Sequence, residues 1–264
     1  MNTNYIIKRV PRSRIATFDI FTVGLSRHHI AAILEFDVTV ARNKLREMRR
    51  NGINISFNAW IVKSISRVLE KNPEACAYLY GKRKLVVFND INISLVVEKE
   101  IEGNKVPMPM VIDRTGEKSA ADISREIEQA KKRELSSNDV VISRKTGLAE
   151  KVYYLLPGFA RRIVWRVMLR YPTIAFREMG NVIVTSVGMI GRINGWFIHR
   201  SVHPLSFGIG SVIKKPVVAD NEIKIREILN MTILADHDVI DGAPMVRFLG
   251  DLTDQIEKGA VTIE

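Results

Sequence analysis

The feature that most constrains the fold lies near the C-terminus. An apolar-rich run, Glu222–Asp236, leads directly into His237-Asp238-Val239-Ile240-Asp241-Gly242. Gly242 then opens a segment in which Val246, Phe248, Leu249, Leu252 and Ile256 recur at helical spacing. A long strand, a tight polar turn and an amphipathic helix in direct succession require a sheet with a helix laid over it, an α/β arrangement. The turn carries the most chemistry. A histidine at the end of an apolar strand is placed to face a cleft, and imidazole titrates near neutral pH. Asp241 follows four residues later and Gly242 closes the turn. That spacing suits a general base, and it equally suits an ordinary strand-to-helix turn, so both readings stay open on spacing alone.

The rest of the chain supplies matching elements. Residues 6–36 read as irregular and then extended, with alternation over Ala32–Thr39 predicting a strand. Residues 39–51 predict a surface helix ended by Asn51-Gly52. Residues 56–72 predict a second helix with Ser56 as N-cap, a buried face including Phe57, Trp60, Ile61, Ile65 and Leu69, and Pro73 as its stop. One or two strands are expected over 84–98, broken at Asn89-Asp90, then extended chain through Val111-Ile112 and a helix over Ser119–Glu134. Beyond Gly180, strands are predicted at Asn181–Val187, Ser206–Ile213 and Glu222–Asp236, separated by glycines and Pro216. No repeat or linker divides the chain, so residues 1–264 are expected to form one domain.

Residues 136–178 interrupt this order. Arg162, Arg166 and Arg170 fall on one face of a predicted helix, with Ile163, Val164, Trp165, Val167 and Met168 on the remainder. Such a helix either contacts an anionic membrane surface through residues 151–177 or packs on its own domain with a solvated arginine stripe.

Composition closes off several alternatives. Apolar residues at 46% and charged residues at 26% are those of a folded domain. No window approaches the roughly 18 apolar residues needed to span a bilayer. The start, Met1–Arg9, lacks a signal-peptide pattern, which sets the cytosol as the expected compartment. The single Cys76 permits no internal disulfide and no cysteine-based metal site, and no metal is expected. A net charge of +11 favours polyanions or phosphorylated ligands, yet no nucleic-acid-binding motif accompanies it, and no nucleic-acid partner is expected.

The residues around His237 resemble the catalytic domain of the dihydrolipoamide acyltransferases of 2-oxoacid dehydrogenase complexes, within the chloramphenicol acetyltransferase-like superfamily. The segment Gly180–Gly191, containing Thr185-Ser186, is similar to that family's "TISNLGxxG" strand, and Pro204–Val218 to its "PEVAILGVGRIxxxPVV" block. Upstream, Phe57–Pro73 resembles its "KA-x-ALxxxP" helix, with Lys63 at the lysine, and Val106–Ile112 its "VPVI" stretch. The match runs colinearly over most of the chain and leaves out residues 136–178.

The resemblance implies a mixed β-sheet flanked by helices and active sites between subunits of a homotrimer. It implies coenzyme A or acyl-coenzyme A as co-substrate, His237 as the base that deprotonates a thiol, and Thr185 as the hydroxyl donor to the oxyanion. Ser186 takes the next motif position. Asp241 is implied to be structural, paired with an N-terminal arginine, for which Arg12 and Arg14 are the candidates. In departure from that pattern, no lipoyl group or lipoyl domain and no peripheral-subunit-binding domain is expected on this chain. The lipoyl domain would then come from another chain, or the acceptor would be a different molecule. It also reads Asp236-His237-Asp238 where the family has "DHR", and it lacks the C-terminal apolar tail, for which a free trimer is expected. The alternative is an acyltransferase fold that has lost catalysis and serves as a scaffold. The presence of both His237 and Thr185 favours the enzyme.

Overall fold

The computed structural model describes residues 5–6, 13–101, 104–132, 148–186 and 193–260. The elements in order are α1 (Ser13–Gly24), β1 (His29–Asp37), α2 (Thr39–Arg50), α3 (Phe57–Lys71), a 3-10 turn (Pro73–Cys76), β2 (Tyr78–Tyr80) and β3 (Lys84–Val86). They continue with β4 (Ile93–Ile101), β5 (Asn104–Ile112), α4 (Ala120–Lys132), α5 (Leu148–Leu155), α6 (Gly158–Arg170) and α7 (Pro172–Met179). The chain closes with β6 (Val182–Ser186), β7 (Leu205–Ala219), β8 (Glu222–Asp236) and α8 (Gly242–Glu257).

Six strands form one mixed sheet in the order β1-β8-β7-β6-β4-β5, and β2 and β3 pair separately. Because side chains alternate along a strand, β7 and β8 each present two chemically different faces. Leu205, Phe207 and Ile209, with Met231, Ile233 and Ala235, join a core built with α2, α3, α4 and α8. The opposite face carries Ser206, Gly208, Asn230 and Thr232, and the segment Ile193–Pro204 lies over it. Gly208 is required there, since a Cβ would sit 2.7 Å from His199 Nδ1.

The predicted helix over 56–72 forms with its cap, the Ser56 side chain accepting a hydrogen bond from the Ala59 N–H at 3.3 Å. The region 84–98 resolves into two strands parted at residues 87–92. Two expectations are corrected. Residues 13–24 are helical rather than irregular, because Ala16, Asp19 and Val23 form a buried face. An aspartate on that face disguises its amphipathic pattern. Asp19 is satisfied by Arg161 Nε at 2.6 Å and the Tyr153 hydroxyl at 2.9 Å, which fastens α1 to the helices that follow residue 148. The strand expected at 206–213 runs on to Ala219, past Pro216. Beyond Ile209, β7 pairs only with β8 among the described residues, and an edge tolerates proline. Asp220 and Asn221, both at positive φ, close the two-residue hairpin, as such turns demand.

The buried His203 and the partly buried His199 are both pushed down to about 4, chiefly by burial. A histidine whose folded pKa lies below its unfolded value near 6.5 stabilises the fold above that value. The stability is lost as pH falls towards 4, because the unfolded chain takes up the proton first. We expect His203 to contribute about 3 kcal/mol of this acid lability, and the partly exposed His199 less. Melting temperatures measured from pH 7 down to pH 4 should therefore fall in the wild type and fall less steeply in His203→Gln. Parallel curves would contradict the assignment.

Candidate active site

The end of β8 and the start of β1 are register partners, His29 opposite Asp236, and this pairing builds the site. Asp236 is fully buried and forms an ion pair with Arg27 Nη1 at 3.0 Å. Its other oxygen accepts from the Asp238 N–H at 3.2 Å, and its carbonyl accepts from the Val239 and Ile240 N–H groups at 2.9 and 3.1 Å. The His237 N–H donates to the His28 carbonyl at 2.9 Å. The Asp236 carboxylate, neutralised by Arg27, thus holds the Asp238 N–H, and the backbone carbonyls of Asp236 and His28 hold the rest of the His237 loop. The imidazole itself is half exposed, with Nδ1 3.8 Å from Asp241 Oδ1. That is too far for a hydrogen bond.

Several expected residues are placed differently. Asp241 precedes α8 with its side chain 86% exposed, and it makes no ion pair with Arg14, which stacks over Phe18 instead. Arg12 lies outside the described residues. The arginine that secures the loop is Arg27, through Asp236. Sequence reasoning missed it because only the β1–β8 pairing brings residue 27 beside residue 236. Asp238 turns away from His237 towards His28, whose Nδ1 lies 3.0 Å from its carboxylate. A Cβ at Gly242 would meet nothing within 4 Å, so a single copy does not require glycine there. Lys63 donates to the Gly116 carbonyl at 2.6 Å, and burial lowers its pKa. Cys76 is excluded as a nucleophile, since burial pushes its thiol up to about 12. Among the described residues, no group of three His, Cys, Asp or Glu is placed to hold a metal ion.

Thr185 is partly buried near the end of β6, and the neighbouring Ser186 hydroxyl is buried without a hydrogen-bond partner among the described residues. Their distance from His237 follows from register. Thr185 lies opposite Gly208, and Gly208 opposite Thr232, two strands away. From residue 232 to residue 237 the chain advances roughly 17 Å, and two strand spacings add roughly 10 Å sideways. A base and an oxyanion donor acting on one carbonyl must each lie within roughly 3 Å of the reacting atoms. His237 and Thr185 of one copy cannot do so. Beside the His237 loop, an open cleft of about 460 Å³ is lined by Ile240, Asp241, Arg247, Lys71, Pro73 and Glu74, among others, and so carries two cations and two carboxylates on its walls.

Comparison with known proteins gives this geometry a context. The chain is 27% identical over 237 residues to the lipoamide acyltransferase component of the branched-chain alpha-keto acid dehydrogenase complex of Bacillus subtilis, covering 87% of this chain and 46% of that protein. It is 27% identical over 236 residues to the dihydrolipoyllysine-residue acetyltransferase component of the pyruvate dehydrogenase complex of Mycoplasma pneumoniae, covering 86% and 50%. The chain thus spans about half the length of these curated relatives. In structure it is similar to a probable dihydrolipoamide acetyltransferase from Listeria monocytogenes, with a TM-score of 0.69, 20% identity and 99% of each chain covered. It also resembles chloramphenicol acetyltransferase, with a TM-score of 0.51, 11% identity and 96% and 99% coverage. The fold is therefore the chloramphenicol acetyltransferase-like mixed sheet flanked by helices. The family profile matches residues 21–141 and 174–263, and the chain belongs to the 2-oxoacid dehydrogenases acyltransferase (catalytic domain) family.

Proposed function

We propose that this chain transfers an acyl group between coenzyme A and a thiol acceptor, at a site completed by a second copy of the chain. The observation that carries the reading is the His237 loop, a half-exposed imidazole on a backbone fixed by a buried ion pair, in a chain of this family. With Nδ1 turned to Asp241, Nε2 is free to take a proton from the attacking thiol. The thiolate forms a new C–S bond at the thioester carbonyl, and the carbonyl electron pair moves onto oxygen. Thr185 of a neighbouring copy donates to that oxyanion, a contact of the kind typically worth about 3 kcal/mol of barrier. Collapse breaks the original C–S bond, and the imidazolium returns its proton to the departing thiolate.

The separation of Thr185 from His237 within one copy supports a shared site, and a cyclic homotrimer is the closed arrangement we assign. Lys71 and Arg247 on the cleft wall are the cations that would meet the phosphates of coenzyme A, beside the carboxylates of Glu74 and Asp241. The acceptor in this reading is a dihydrolipoyl group. Thiol release from acetyl-coenzyme A, measured with dihydrolipoamide and with other thiols, tests it. Acceptor-dependent release is expected. No release with any acyl-coenzyme A and acceptor would remove the proposal.

A further inference from the structure

The helices that follow residue 148 carry a surface that the acyl-transfer reading does not use. Residues 142–173 fall between the two segments matched by the family, so α5 and α6 are additions of this chain to the family pattern. One face of α6 packs inward through Leu169, Trp165 and Met168. Its outer face leaves Phe159, Ile163, Val164 and Val167 between 47% and 64% exposed. Helix α1, held against α6 by Asp19 and Arg161, does the same with Phe18 and Phe21, and Leu25 just after it joins them, all between 45% and 63% exposed. Solvent is a poor partner for two adjacent apolar stripes.

The charge on these helices is of one sign. Arg162, Arg166 and Arg170 on α6 and Arg14 on α1 make no ion pair with any described residue. No aspartate or glutamate occurs in α6, and the only one in α1, Asp19, is buried and neutralised by Arg161. We infer that the outer face of α1 and α6 docks on an anionic lipid surface. Its phenylalanines and aliphatic side chains would enter the headgroup boundary, with the arginines level with the lipid phosphates. A second copy meeting this face with its own like face would set arginines against arginines, which disfavours self-association there. No helix among the described residues is long and apolar enough to cross a membrane, so the contact is peripheral.

The test is co-sedimentation of the full chain with phosphatidylglycerol-containing vesicles and with pure phosphatidylcholine vesicles. Binding is expected only to the anionic vesicles and is expected to weaken with salt. Each arginine near such a surface strengthens binding about fivefold, so R166E/R170E should weaken it by at least about 25-fold. Phe159→Ser/Ile163→Ser should weaken it by about tenfold or more. Both variants alter exposed positions, and circular dichroism should show wild-type melting. Failure of the wild type to bind anionic vesicles overturns the inference, as does undiminished binding by both variants. A change of oligomeric state in either variant, seen by light scattering, also overturns it by making this face an interface between copies. Vesicle binding and thiol release are separate readouts, so this inference stands or falls independently of the acyl-transfer reading.

Discussion

His237→Ala is expected to lower acyl transfer about a thousandfold while leaving the fold intact. General bases commonly contribute roughly 10²- to 10⁴-fold, and the upper part of that range applies where a thiol must be ionised before attack. The fold should be indifferent because the imidazole is half exposed and approaches Asp241 only to 3.8 Å. The loop's anchors are backbone groups and Asp236, all of which survive the substitution. The measurement is kcat/KM for thiol release alongside a melting curve. Loss of activity accompanied by loss of stability would show that the residue acts through folding. Retention of activity would remove His237 from the chemistry.

Arg27→Ala is expected to act in the opposite order, with stability falling first. It leaves Asp236 buried without its counter-charge, and breaking such a pair costs about 3–5 kcal/mol. Arg27 is 16% exposed, so the lower figure applies, and the melting temperature should drop by roughly 6–12 °C for a chain of this size. Activity should fall as well, because the Asp236 carboxylate holds the Asp238 N–H next to His237 and its backbone carbonyl holds those of Val239 and Ile240, so displacing Asp236 would move the proposed base. The double variant R27A/D236N should recover most of the stability. Asparagine is neutral and still offers its oxygen to the Asp238 N–H. A melting temperature within about 1 °C of wild type in R27A would show that the loop is held by something else.

The sequence made local features plain wherever one short window carried the whole signal. The α3 face and its Ser56 cap, the break between β3 and β4, and the passage from β8 through His237 to α8 were all legible. Helix α1 was not, because Asp19 interrupts its apolar face and the partners that neutralise it, Arg161 and Tyr153, lie in a distant segment. The same limitation hid Arg27. The motif around His237 directed attention to Asp241 and the more N-terminal Arg12 and Arg14, whereas the buried pair depends on the antiparallel register of β1 and β8. The basic helix predicted in 159–170 does pack on its own domain. Only the structure reveals that it keeps Phe159, Ile163, Val164 and Val167 on the outside. Motif resemblance brought His237 and Thr185 onto one page. The strand register then separated them by more than a single copy can bridge.

That separation supplies the most direct test of a site that draws its base from one copy and its oxyanion donor from another. His237→Ala and Thr185→Val chains, each nearly inactive alone, should be mixed in equal amounts, dissociated and allowed to reassociate. In a cyclic trimer with random mixing, about a quarter of the interfaces would pair an intact His237 with an intact Thr185, and thiol release should return to about a quarter of the wild-type rate. Mixed oligomers that form but stay as inactive as their parents would contradict the account.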